Sequence, residues 1–251
     1  MAAKDVAPLI EVRGFSKSYG RKKIHHELDF NLYPNEVVSL LGGSGSGKSV
    51  LLRAMIGLES ADKGTITFKG RDITWLSEED WNEVRKSIAY AFQGGALFDS
   101  LSVEENLLYP LDAHTKFSRA EKQVRVDETL EMLGLKGANR LYPSDLSGGM
   151  QKRAGLARAL ILEPEVILYD EPTAGLDPYN TKNIQDIILD LKSKGTAGIL
   201  VTHDMPTALA TCDRISLLLG GKIAASGRVP EIQEHPSVQE FMKGLWAYGK
   251  T

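Results

Sequence analysis

Gly42-Gly43-Ser44-Gly45-Ser46-Gly47-Lys48-Ser49 fits the phosphate-loop pattern G-x-x-x-x-G-K-[ST] at every fixed position. Val37 to Leu41 before it reads as a short buried strand, and Leu51 to Ile56 after it as a helix stopping at Gly57. Glycines let successive backbone N–H groups turn toward phosphate oxygens, an approach that a Cβ would block. Lys48 brings a positive charge to the β- and γ-phosphates, and the Ser49 hydroxyl can ligate Mg²⁺. A plain Gly/Ser loop would not need Lys48 and Ser49 in register after Gly47. The stretch implies binding of a nucleoside triphosphate.

The rest of the composition bounds the setting. With 251 residues the chain has room for one large domain or two small ones. A net charge of −3 gives no sign of a nucleic-acid-binding surface, so nucleic acid is not an expected partner. One cysteine, Cys212, rules out an intramolecular disulfide and suits a reducing cytosol. The N-terminal residues lack an apolar core of signal-peptide length. No run reaches the ~18–20 apolar residues of a membrane span, so the expectation is a chain that does not cross a bilayer by itself.

In order along the chain, Leu9 to Tyr19 and Ile24 to Leu32 read as strands, separated by the basic turn Gly20 to Lys23. Tyr19 is either a sheet-end aromatic or a flat face for adenine stacking. Gly64 to Lys69 reads as a strand, and Ser77 with Glu78, Glu79 and Asp80 opens a helix to about Arg85. Ser87 to Phe92 reads as a strand, with Gln93 directly after it. Val103–Leu108, Arg119–Leu133 and Ser147–Leu162 then read as helices, an all-helical stretch between strands. Val166 to Asp170 is a buried strand ending in acid, followed by a helix from Asp177-Pro178 to about Lys194. Ala197 to Val201 is another buried strand, with His203 at its carboxyl end, where ligands bind in open α/β sheets. Ile215–Leu219 and Lys222–Ala225 form a hairpin across Gly220-Gly221.

Two further stretches narrow the reading: Leu146-Ser147-Gly148-Gly149-Met150 and Val166-Ile167-Leu168-Tyr169-Asp170-Glu171. With them the chain resembles the ATP-binding-cassette (ABC) ATPases from about Leu9 to Gly227. The resemblance implies a P-loop NTPase fold of the α/β class, a RecA-like core with an antiparallel β part and an inserted helical subdomain. Residues 1–94 and 163–227 would form the core, 95–162 the helical subdomain with the signature loop, and 228–251 a C-terminal helix and tail. ATP and Mg²⁺ would be held by Gly42 to Val50, with Tyr19 against the base. The resemblance further assigns Asp170 to the Mg²⁺ shell, with Ser49 and Gln93, and Glu171 to the attacking water. His203 would contact the γ-phosphate, and Gln93 would sense metal and water. Ser147, Gly148 and Gly149 would close over ATP bound to a second copy, with Asp177 of the D-loop nearby. That implies a head-to-tail homodimer.

Met150 stands where many of these ATPases carry Gln, and Val50 where Thr is usual. Both resemble the ATPases of Mla/MCE-type lipid transporters, as do Phe92 to Asp99, Tyr109 to Leu111 and Val238 to Gly244. By that resemblance the chain would power phospholipid transport on the cytoplasmic face of the inner membrane. Its partners would be a permease dimer, an MCE-domain protein and a small cytosolic regulatory subunit. An ATPase of an amino-acid or other solute importer, a soluble ABC ATPase of the iron–sulfur assembly type and a small-molecule P-loop kinase are the competing readings. Finally, Val238, Phe241, Met242, Leu245 and Trp246 form one apolar stripe after Pro236. This helix is expected to dock with Phe241 and Trp246 buried and the last few residues loose.

Overall fold

The computed structural model describes residues 6–243 and begins with two antiparallel strands, β1 (Ile10–Tyr19) and β2 (Lys22–Leu32). Ile10, Val12 and Phe15 are all buried, although 12 and 15 are out of phase for a regular strand. Gly14, at φ 59°, absorbs the extra residue, and the register on β2 shifts between Val12 and Phe15. Next comes β3 (Val37–Leu41), buried along its whole length as a strand covered on both faces must be. The glycine loop leads into α1 (Lys48–Ala54), which starts earlier than the apolar run suggests because Gly47 already caps it in a left-handed conformation. Then follow β4 (Lys63–Phe68), the two-residue β5 (Arg71–Asp72), α2 (Glu78–Ser87) and β6 (Ile88–Ala91). The Ser77 hydroxyl caps α2 by accepting from the Asp80 amide.

Three helices fill the interval to β7 (Val166–Asp170): α3 (Val103–His114), α4 (Arg119–Met132) and α5 (Gly148–Leu160). Capping boxes open α3 (Ser102 with Glu105) and α4 (Ser118 with Glu121). Helix α3 continues past the expected end at Leu108 and through Pro110. The proline removes one intrahelical N–H, but Leu107 and Leu111 are fully buried on either side of it. Val126, Leu130 and Leu156 of these helices share one apolar cluster with Tyr169 and Leu200 of the sheet. Helix α5 also touches the turn after β6, backbone to backbone. A Cβ on Gly155 would lie 2.4 Å from Gly95 Cα, and one on Gly95 would lie 2.8 Å from the Gln151 carbonyl oxygen.

The chain then forms α6 (Pro178–Ser193), β8 (Ala197–Thr202), α7 (Met205–Thr211), the hairpin β9 (Arg214–Leu219) with β10 (Lys222–Arg228), α8 (Val229–Ile232) and α9 (Pro236–Met242). Two sheets result, one of order β2-β1-β4-β5 and one of order β10-β9-β3-β8-β7-β6. In the second, β3 runs parallel to both β8 and β9, while β7 lies between β8 and β6. The carboxyl ends of β3, β6, β7 and β8 therefore share one edge, and this is the edge that carries the candidate site. Cys212 is buried, which pushes its thiol up to about 12.

Helix α9 docks through Val238, which is fully buried against Met205, Ile215 and Leu217. Phe241 departs from expectation: it is half-buried, because it packs against this cluster on one side and lines the rim of a cleft on the other. Met242 is 53% exposed, and Leu245, Trp246 and the tail lie outside the described residues.

The contact between Gly155 and Gly95 generates a stability prediction. Gly155→Ala forces helix α5 off the β6 turn, and overpacking of this kind costs about 1–3 kcal/mol. The urea midpoint of the variant should fall accordingly, and an unchanged midpoint would show that the helix does not press on the turn.

Candidate functional site

The glycine loop leaves β3 at the shared edge and turns through Gly45 (φ 74°) and Gly47 (φ 100°). Gly47 has no room for a side chain, since a Cβ there would lie 2.6 Å from Ile24 Cγ2 and 2.8 Å from the His25 ring. His25 is itself buried, with Nε2 3.0 Å from the Gly47 carbonyl oxygen, and burial pushes its imidazole pKa down. Strand β2 thus supports the loop from below.

Lys48 is the charged centre of the loop. Its ammonium is 6% exposed and donates to the carbonyl oxygens of Gly42 at 2.8 Å and Gly43 at 3.1 Å. Burial lowers its pKa, opposed by the Glu171 carboxylate at 3.6 Å. Ser49, next in the helix, donates from Oγ to Asp170 Oδ1 at 2.8 Å.

Asp170 ends the buried strand β7, and its other oxygen, Oδ2, accepts from the Tyr90 hydroxyl at 2.6 Å. Glu171 follows at φ 49°, a left-handed conformation that a non-glycine residue adopts only when its surroundings enforce it. Its amide donates to the Val201 carbonyl at 2.9 Å, and its side chain turns into the cleft. There both carboxylate oxygens lie 3.0 Å from His203 Nδ1, and Thr202 Oγ1 donates to Oε2 at 3.3 Å. The carboxylate is thus an anion held between a lysine and a histidine.

A cleft of about 900 Å³ opens over these groups, lined by the loop from Gly43 to Val50 and by Gln93, Glu171, His203 and Phe241. Gln93 is exposed at the end of β6. The oxygen donors around Asp170 and Ser49 fit a hard cation such as Mg²⁺, which takes one or two protein ligands and completes its shell with phosphate and water. Among the described residues no cluster of three His, Cys, Asp or Glu forms a protein-only metal cage.

Other expected residues lie elsewhere. Tyr19 is 48% exposed and does not line the cleft; its hydroxyl donates to Glu59 at 2.5 Å. Ser147, Gly148, Gly149 and Asp177 do not line it either. Ser147 caps α5 and Asp177 caps α6. The two helix starts meet each other, because a Cβ on Gly149 would lie 2.6 Å from Asn180 Oδ1. Lys152 ties them further by donating to the Ala174 carbonyl. Sequence reasoning missed Tyr90, Thr202, His25 and Phe241 as neighbours of the site. A hydroxyl on the otherwise apolar strand before Gln93 was the available signal for Tyr90.

The sequence profile described as "ABC transporter" matches residues 25–174. The "Probable ribonucleotide transport ATP-binding protein mkl" of Mycobacterium leprae (strain TN) is 40% identical over 238 residues, covering 94% of this chain and 69% of that protein. The "Intermembrane phospholipid transport system ATP-binding protein MlaF" of Escherichia coli (strain K12) is 37% identical over 245 residues, covering 96% and 91%. Among solved structures, the dimeric post-hydrolysis state of the ATP-binding cassette MJ0796 bound to ADP and Pi matches with a TM-score of 0.81 at 30% identity, covering 88% of this chain and 98% of that one. The matched range holds both the loop around Lys48 and the strand end bearing Asp170 and Glu171, and the chain belongs to the ABC transporter family as an ATP-binding, ATP-hydrolysing cassette.

Proposed function

We propose that this cassette powers phospholipid transport through an Mla/MCE-type permease. The observation that carries this reading is the match to MlaF, which is named as the ATP-binding protein of an intermembrane phospholipid transport system and aligns over almost the whole of both chains. The mycobacterial relative supports a second reading, since its name specifies ribonucleotide transport. Partners on the first reading are a permease dimer, an MCE-domain protein and a small cytosolic regulatory subunit, with the ATPase on the cytoplasmic face of the inner membrane. Among the described residues no helix is long and apolar enough to cross a membrane, so the lipid path would belong to the permease. Residues 95–162 would act as the helical subdomain between the ATP site and that permease. Extraction of the complex purified through this chain should yield bound phospholipid; bound ribonucleotide other than the adenine nucleotide of the cassette would favour the second reading.

For hydrolysis, the geometry of the cleft supports the following roles. The place now held by the Glu171 carboxylate, between Lys48 and His203, already suits an anionic oxygen, and a phosphate group finds the same two partners there. Ser49 and Asp170 would hold Mg²⁺, which when bound neutralises charge on the phosphate oxygens. Glu171, displaced toward water, would accept its proton as general base. Gln93 would orient that water and the metal shell from the end of β6. Tyr19 would stack on the adenine from the edge of β1.

Ser147, Gly148, Gly149 and Asp177 do not line their own chain's cleft, which supports their acting on the ATP of a second copy. The dimeric form of the matched cassette supports a dimer of this chain, as such an arrangement requires.

Two predictions test these assignments. Removing a general base typically costs ~10²–10⁴ in rate while leaving ATP contacts in place. Glu171→Gln should therefore bind ATP and turn over that much more slowly, whereas Lys48→Ala should lose affinity for the nucleotide itself. Wild-type turnover in the first, or unchanged ATP affinity in the second, contradicts the assignment. The trans arrangement is tested by mixing Lys48→Ala with Ser147→Arg chains. If Ser147 serves the neighbour's ATP, the mixed dimer holds one doubly damaged site and one intact site. It should hydrolyse ATP where each mutant homodimer does not; a mixed dimer as inactive as both parents rules the arrangement out.

A further inference from the structure

Tyr90 is the only residue of β6 with a polar side chain. Its hydroxyl donates to Asp170 Oδ2 at 2.6 Å, while Ser49 Oγ donates to Oδ1 at 2.8 Å. Each carboxylate oxygen thus has its own hydroxyl donor, and the two donors come from different elements. This matters because the terminal torsion of an aspartate is broad and soft. One donor would leave the carboxylate free to swing about that bond, whereas two donors on opposite oxygens fix its plane. A hydroxyl donating to an ionised oxygen at this distance is among the stronger hydrogen bonds. A phenol keeps its proton at neutral pH, so the Tyr90 hydroxyl can only donate to the carboxylate. The phenol ring is clamped as well: it packs on Phe92 with centroids 4.3 Å apart, and its backbone pairs with Leu168 of β7.

We propose that Tyr90 is a positioning residue for Asp170, holding its carboxylate so that Oδ1, beside Ser49, is presented to the divalent cation. The inference rests on the assignment of Ser49 and Asp170 to Mg²⁺. It adds a consequence of topology, since β6 runs directly into Phe92 and Gln93. The strand that carries Gln93 into the cleft is therefore hydrogen-bonded to the metal ligand itself. A competing effect has the opposite sign: loss of the hydroxyl leaves Oδ2 less neutralised, which by charge alone would strengthen its attraction for a cation. Orientation should win, because loss of a group that orients a metal ligand typically weakens metal affinity 10–100-fold.

The test uses the full chain with Mn²⁺ as a paramagnetic probe and a non-hydrolysable ATP analogue. Tyr90→Phe should weaken Mn²⁺ binding ~10–100-fold and shift the metal dependence of hydrolysis to higher concentration. Its affinity for the analogue in chelator should stay at the wild-type value. Tyr90→Met, which fills similar space without a donor, repeats the measurement if Tyr90→Phe does not fold. Wild-type or tighter Mn²⁺ binding in a folded variant overturns the proposal, and so does failure of both variants to fold, which would make the tyrosine a packing residue. Ser49→Ala separates the two levels of the argument: if it too binds Mn²⁺ normally, the metal assignment has failed rather than the role of Tyr90.

Discussion

The Lys48 ammonium is a charge almost removed from water, and the surrounding architecture answers that one constraint. A lysine is tolerated so deep only when its donors are satisfied. Here the acceptors are the Gly42 and Gly43 carbonyls, and the Glu171 carboxylate 3.6 Å away balances the charge. For those two carbonyls to converge on Nζ the loop must curl tightly, which places Gly47 against Ile24 and His25, where no Cβ fits. For Glu171 to reach the same point it must leave β7 in a left-handed conformation. The strain at Glu171 and the crowding at Gly47 are two consequences of bringing a cation and an anion together at one sheet edge.

A second constraint concerns how closely the helical layer approaches that edge. Gly95 and Gly155 approach so nearly that neither tolerates a side chain, which seats α5 directly on the turn that follows Gln93. Gly149 and Asn180 repeat the arrangement at the start of α5, and Lys152 reaches the carbonyl of Ala174 in the turn after Glu171. Helix α5 is thus fastened near its start to the segment following β7 and farther along to the segment following β6.

Legibility in the sequence followed the range of the interactions. Gly42 to Ser49, and Asp170 with Glu171, could be read because the groups that act together are contiguous and sit at the ends of strands that are almost wholly apolar. Strands β3, β7 and β8 were equally plain, since burial on both faces leaves a nearly continuous apolar run, interrupted only by Ser39 before the polar strand ends. The short helices α7 and α8 were not read: seven and four residues give too little periodicity to register, although Asp204 with Pro206 is a capping signal. The continuation of α3 through Pro110 depends on tertiary burial of Leu107 and Leu111, which overrides the local penalty. Phe241 was placed correctly on the apolar stripe, but its partial exposure depends on where the cleft ends, and no periodicity reports that.

The separation of the two glycine-rich helix starts within one chain has a chemical consequence. The cleft presents Lys48, His203 and Glu171 from one side, and among the described residues none closes it over Ser44 and Gly45, which are exposed. Hydrolysis requires the attacking water to be placed and bulk water to be kept out. An open wall of this kind does neither. On the proposed head-to-tail arrangement the missing wall is the Ser147 loop of the second copy. The tie from Lys152 to Ala174 then acquires a direction: the element that closes the neighbour's site is fastened, in its own chain, to the turn that follows its own Glu171. Closing one site would therefore bear on the general base of the other, so two clefts related in this way are not independent.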